Sequence, residues 1–313
     1  MSKRVCEEFF MLGRICVVFA VIGVLGYCAL GPAVAEAPAE DRYWGLHLGP
    51  DFEQAAPDTP THYEPTDTIL IVGAVPQEIP PFVDAMPAAE KDALWGIPYW
   101  RGTIHGKPVI VAITGIGKTY TGVTSTLFIK HFKPRLVLMS GTGARINPDL
   151  RTGDVIVSTI NYEHDYGSLT QDGMVYRPMN SPVDGAEEEN GWSPSPTLLA
   201  AADEAIQSYA PPEVTANGET YTIRARRGVV ASSDLFGVTE QRIDMLRTVM
   251  KTDIMEMESA PLGHACVMLG VPFIVVRAGS NVAQEAPNDD YLRLGPIAAK
   301  QAALFSLHLL EYL

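Results

Sequence analysis

Thr68-Ile69-Leu70-Ile71-Val72 is an almost wholly apolar run closed by Gly73, the pattern of a short strand buried on both faces. Similar runs at Lys107 to Thr114, Arg135 to Ser140, Asp154 to Ile160, Gly228 to Ser232 and Val271 to Ala278 predict further strands. Between and after them the apolar spacing lengthens toward a helical period, predicting helices over Lys118 to Phe132, Ser195 to Tyr209, Glu240 to Met250, Glu256 to Leu269 and Pro296 to Tyr312. Strands alternating with helices predict an α/β sheet covered on both faces. The stretch from Tyr166 to Asn217, rich in Pro and Gly and carrying Glu187-Glu188-Glu189, predicts excursions outside the sheet with a solvated charge run.

Ahead of the first strand the pattern is different. Lys3, Arg4 and Arg14 precede an uncharged apolar run from Ile15 to Leu30, and Ala33-Val34-Ala35 has the A-x-A form of a cleavage site. Residues 1–35 therefore predict a secretory signal, and the chain an exported protein, periplasmic or secreted; left uncleaved, the segment is long enough to anchor in a membrane. Residues 36–66, rich in Pro, Ala, Asp and Glu, predict a loosely ordered arm, and residues 67–313 the folded domain. Cys6, Cys16 and Cys28 precede the cut, so Cys266 remains without a disulfide partner in the processed chain.

Composition narrows the partners. With 47% hydrophobic residues and no short repeat, the 313-residue chain is neither disordered nor fibrous. Its net charge of -14 argues against holding nucleic acid by phosphate neutralisation and favours a small molecule. In a sheet of this kind ligands sit at the carboxyl ends of strands, which points to the small-residue segments after Gly73, Thr114, Ser140, Ser232 and Arg277. Thr114 to Thr119 lacks the first glycine of a P-loop, no Gly-x-Ser-x-Gly elbow occurs, and the seven histidines lack metal-ligand spacing. His164 beside Asp165 reads as a satisfied structural pair.

Several landmarks occur in a fixed order: Gly73-Ala74-x-x-x-Glu78, Gly115-Ile116-Gly117-Lys118, Phe132-Lys133-Pro134, Thr152-Gly153-Asp154-Val155, Met255-Glu256-Met257-Glu258, Val275-Val276-Arg277-Ala278-x-Ser280 and Ala298-Ala299-Lys300-Gln301. In this the chain resembles the 5'-methylthioadenosine/S-adenosylhomocysteine nucleosidases of the nucleoside phosphorylase superfamily. The resemblance implies a three-layer α/β/α sandwich with a mixed central sheet, a homodimer, no cofactor or metal, and hydrolysis of a purine nucleoside.

Breaking an N-glycosidic bond through an oxocarbenium-like sugar needs a carboxylate that deprotonates water and a group that stabilises the departing base. By the resemblance Glu78 is that carboxylate, Glu258 accepts hydrogen bonds from the ribose hydroxyls, and Met257 packs beneath the sugar. Phe236 stacks on the purine and Gly237 contacts its edge, with Thr142 and Ser280 also in the site. Ile116 and Tyr291 match apolar positions around the family's 5'-alkylthio group. On the residues alone, Glu78 reads equally as a helix-start residue favoured by the dipole.

Asn281 is the departure. The family has an aspartic acid there to protonate the purine N7, and asparagine cannot deliver a proton. Three readings follow: a 6-oxopurine substrate whose O6 and N7 suit an amide, as in trimeric purine nucleoside phosphorylases; an acid supplied by Asp234, Asp289 or Asp290; or a nucleoside-binding or storage protein. A carboxylate at Glu78 suits water better than phosphate, which favours hydrolysis over phosphorolysis. Arg145, in place of a small residue of the family, reads as a ligand for phosphate or a carboxylate and equally as an exposed side chain with no such role.

Overall fold

A computed structural model describes residues 63–171, 173–182 and 184–313. The predicted signal and all but the end of the predicted arm lie outside the described residues. Strand β1 (Ile69–Gly73) is buried along its whole length and is followed by a one-turn 3-10 helix at Pro76–Glu78 and the short α1 (Pro80–Asp84). Next come β2 (Glu90–Leu94), β3 (Ile97–Ile104), β4 (Lys107–Ile113), α2 (Lys118–Phe132), β5 (Leu136–Arg145) and β6 (Val155–Glu163). After these follow α3 (Pro196–Ser208), β7 (Ala225–Ser232), α4 (Glu240–Thr248), β8 (Ile254–Glu256), α5 (Ser259–Leu269), β9 (Phe273–Val282) and α6 (Asn288–Leu309).

Period-two alternation splits each central strand between two cores. Ile69 and Ile71 of β1, Leu136 and Leu138 of β5, and Ile274 and Val276 of β9 pack on one side with Ala298, Ala302 and Phe305 of α6. Leu70, Val72, Val137, Met139, Phe273 and Val275 point to the other, against Phe128 and Ile129 of α2 and Leu262 and Cys266 of α5. This is an α/β/α sandwich. Its sheet is mixed: β1 runs parallel to β4 and β5, whereas β8 is antiparallel to β5 and β9 to β6. Pairing of β6 with β7, β7 with β8, β8 with β5, and β9 with both β5 and β6 closes five strands into a ring. The last residues of β5 and β9 and the short β8 thereby come side by side.

Several boundaries differ from expectation. The hairpin β2–β3 was not foreseen, because its edge strand is polar and exposed; Trp95 and Gly96 make its turn with φ of 49° and 82°. Helix α5 begins at Ser259 rather than Glu256, since Ile254–Glu256 joins the sheet. Helix α6 begins at Asn288 and runs through Pro296, so the proline lies inside the helix instead of opening it. The Tyr166 to Asn217 stretch is not wholly outside the sheet: Gly191–Trp192 pairs with β6, and Glu187–Glu188 forms a small ladder with Met179–Asn180. Among the described residues, no helix is long and apolar enough to cross a membrane.

Candidate active site

Glu78 reaches the site because β1 ends in a tight reversal. A Cβ on Gly73 would stand 2.9 Å from Glu78 Cβ, so only glycine lets the 3-10 turn fold back over the strand end. The Glu78 carboxylate is 2% exposed. Its Oε2 accepts from the backbone N–H of Ala74 (2.7 Å) and Val75 (3.3 Å), and its Oε1 from the N–H of Thr142 (2.9 Å), with the Thr142 hydroxyl at 3.3 Å. Burial raises its proton affinity, against the opposing pull of Arg277 and those three N–H donors. Glu78 thus closes a helical turn, as its sequence position allows, while its carboxylate lines a cavity.

Arg277 organises the carboxylates. A fully buried guanidinium on β9, it pairs with Glu256, stands 3.4 Å from Glu258 Oε2, and donates from Nε to Ser259 Oγ at 3.0 Å. Burial works against its charge, and Glu256, Glu258 and Glu78 outweigh that and hold it protonated. Glu256 turns back to cap α5, accepting from the N–H of Glu258 (3.0 Å) and Ser259 (2.9 Å). Glu258 sits at the N-cap, where its Oε1 accepts from Gly117 N–H at 3.0 Å. Its proton affinity is pushed up to about 8, chiefly by burial and then by Glu256. A lone arginine in the apolar run Phe273 to Ala278 was the sequence signal for this cluster, since a buried cation needs counter-charge.

The Gly117 donor is held by a second network. Lys118 Nζ bridges Glu163 Oε2 (3.1 Å) and Asp165 Oδ1 (2.6 Å), and its backbone N–H donates to Asp234 Oδ1 at 2.7 Å. Asp165 Oδ2 in turn accepts from Asp234 N–H at 2.9 Å. The chain ends after β4, β6 and β7 are tied together at the first turn of α2.

The cavity encloses about 590 Å³ including its open mouth, and its lining contains Glu78, Ile116, Thr142, Phe236, Met257, Glu258, Ser280, Asn281 and Tyr291. Gly237 is the exception. It faces a neighbouring groove and packs against the backbone of Gln284 and Glu285, because the chain turns away after Phe236. Val75, Leu235, Met255 and Glu256 line the cavity as well and had no assigned role in the sequence. Phe236 is 43% exposed at the mouth and meets Tyr291 edge to face at 5.7 Å. Asn281 is buried, with Oδ1 2.9 Å from Ser280 Oγ and Nδ2 donating to the Val282 carbonyl at 2.9 Å.

Other candidates fall away from the cavity. Asp234, Asp289 and Asp290 do not line it; Asp234 caps α2 and Asp290 pairs with Arg293 at 2.7 Å. Arg145 Nη1 donates to the Leu150 carbonyl at 2.9 Å, also outside. No Lys or Arg is among the lining residues. His164 and Asp165 are not a bonded pair: the buried imidazole nitrogens have no partner among the described residues, and burial lowers its pKa to about 3. Among the described residues, no cluster of His, Cys, Asp and Glu is arranged to hold a metal ion.

Comparison with known proteins adds to this geometry. The sequence pattern of the phosphorylase superfamily matches residues 68–311. The 5'-methylthioadenosine/S-adenosylhomocysteine nucleosidase of Marinomonas sp. (strain MWYL1) is 27% identical over 247 residues, spanning 78% of this chain and 98% of the relative. The native futalosine hydrolase of Helicobacter pylori strain 26695 superposes with a TM-score of 0.67 at 27% identity, covering 79% of this chain and 98% of its own. An aspartate-to-asparagine variant of the H. pylori nucleosidase, with 5'-methylthioadenosine in its active site, superposes with a TM-score of 0.67 at 28% identity over 79% and 100% of the two chains.

Proposed function

The chain belongs to the phosphorylase superfamily, and from that premise we propose that it is an N-glycosidase that hydrolyses purine nucleosides by attack of water. The observation that carries this reading is the charge of the cavity: buried carboxylates line it and no Lys or Arg does. A phosphate nucleophile would enter beside the Glu78 carboxyl with no Lys or Arg on the lining to receive it, whereas water needs only a base. Glu78 takes the proton from that water. Glu258 accepts from the ribose hydroxyls, Met257 lies under the sugar, and Phe236 at the mouth stacks on the base.

Asn281 sets the base in this reading. Its Oδ1 is occupied by Ser280 and one Nδ2 proton by Val282, so a second Nδ2 proton is left for the ligand. A donor there suits the adjacent N7 and O6 acceptors of a 6-oxopurine and gives a 6-aminopurine no proton. The exported location rests on the signal-like segment, and assembly as a homodimer on the apolar side chains exposed along α2 and α5, Tyr120, Val123 and Met268.

Free-base release from inosine, guanosine, adenosine and 5'-methylthioadenosine tests the reading. Turnover of inosine or guanosine ahead of the 6-amino pair is expected. Binding without turnover of any of the four would make the chain a nucleoside receptor instead.

A further inference from the structure

Tyr291 brings a hydroxyl to a wall that the rest of the cavity leaves apolar. Its ring packs over Gly295, one turn further along α6, where a Cβ would stand 3.2 Å from the ring, and its edge meets Phe236. The phenol oxygen accepts from Gln77 Nε2 at 3.4 Å and lies near Thr142, whose hydroxyl stands 3.3 Å from Glu78 Oε1. The oxygen is therefore held by Gln77 at the Thr142 side of the cavity. Burial, with Glu78 and Glu258 nearby, raises its proton affinity and keeps it a neutral phenol.

Which part of a nucleoside meets this hydroxyl rests on the reading of the site given above. The base goes to Phe236 and Asn281 and the 2'- and 3'-hydroxyls to Glu258. By the resemblance to the nucleosidases, Ile116 and Tyr291 stand around the 5' substituent, and both line the cavity. Of those two side chains the phenol alone carries a polar atom. A 5'-hydroxyl both donates and accepts, so it satisfies the phenol in either orientation. A thioether sulfur has no proton and accepts weakly.

We propose that Tyr291 selects an oxygen over a thioether at the 5' carbon, so that the site takes purine ribonucleosides with a free 5'-hydroxyl. A neutral hydrogen bond made to one ligand and missing from the other discriminates by about tenfold.

The test is calorimetric binding of inosine and 5'-methylthioinosine to the full-length protein carrying Glu78→Gln, which holds nucleoside without turning it over, and to the same parent with Tyr291→Phe or with Gln77→Leu, which releases the phenol without touching the ring. The parent binds inosine about tenfold more tightly than the thioether; the ratio falls to about one or inverts in Tyr291→Phe, and drops part of the way in Gln77→Leu. An unchanged ratio in Tyr291→Phe, with both nucleosides bound, overturns the assignment of Tyr291 and leaves the nucleosidase reading standing. Binding of neither nucleoside by parent protein that melts cooperatively overturns both.

Discussion

Replacing Glu258 by Gln stabilises the fold at alkaline pH while removing a group that the chemistry needs. Glu258 is 4% exposed and its proton affinity is raised from 4.5 to about 8. Below pH 4.5 the carboxyl holds its proton in both folded and unfolded chains, and the site costs nothing. As the pH climbs from there to 8, the unfolded chain gives up the proton while the folded chain keeps it, and stability falls by about 1.4 kcal/mol per pH unit. Above 8 the loss levels off, on the order of 4–5 kcal/mol in total. The amide does not titrate. It still accepts from Gly117, but it gives up the ionic contact with Arg277 and brings an NH2 group needing a partner, about 1–3 kcal/mol. The balance favours Gln by about 2 kcal/mol at pH 8.5 and disfavours it at pH 5. For a fold of this size each kcal/mol moves Tm by about 2–4 °C. Scanning calorimetry of both proteins from pH 4.5 to 9 reads the crossing directly. A Tm difference of constant sign and size across that range would refute the reasoning.

Three further outcomes are expected. Asn281→Asp restores a general acid at the base, and release of adenine from 5'-methylthioadenosine rises about 100-fold or more in a spectrophotometric assay. Gly141→Ala puts a Cβ 2.7 Å from Glu78 Oε1 and against Arg277 Nη1; overpacking lowers stability by about 1–3 kcal/mol in urea titration and base release falls with it. Lys118→Met leaves Glu163 and Asp165 without their shared cation, and thermal melts at pH 7 show a loss of about 2–3 kcal/mol.

How far the sequence was legible depended on whether a feature was local. Helix α2 lies over the expected Lys118–Phe132 because Gly117 before it and left-handed Lys133 after it are strong punctuation. The buried central strands were visible as apolar runs, but a run buried on both faces hides which residue serves which layer, and the two cores appear only in three dimensions. Strand β2, with Glu90, Lys91 and Asp92, has no apolar face to detect. At the site, Glu78, Glu258 and Asn281 were marked by resemblance, and the fold brings all three to one cavity. Their electrostatics were not legible, because Arg277, Glu256, Glu258 and Glu78 meet from separate segments. Gly237 lies outside the cavity lining, because a backbone turn after Phe236 leaves no mark on residue type. Tyr291 was marked as part of an apolar wall, and its hydroxyl acquires meaning only beside Gln77 and Thr142.

The central claim is that a water molecule, activated by Glu78, breaks the glycosidic bond. Base release from inosine by the full-length protein, in phosphate-free buffer and in buffered phosphate, with Glu78→Gln alongside, tests it most directly. The account predicts turnover that is indifferent to phosphate and falls about 100- to 10,000-fold in Glu78→Gln while nucleoside binding persists. Turnover that requires phosphate, or that survives in Glu78→Gln, would contradict it.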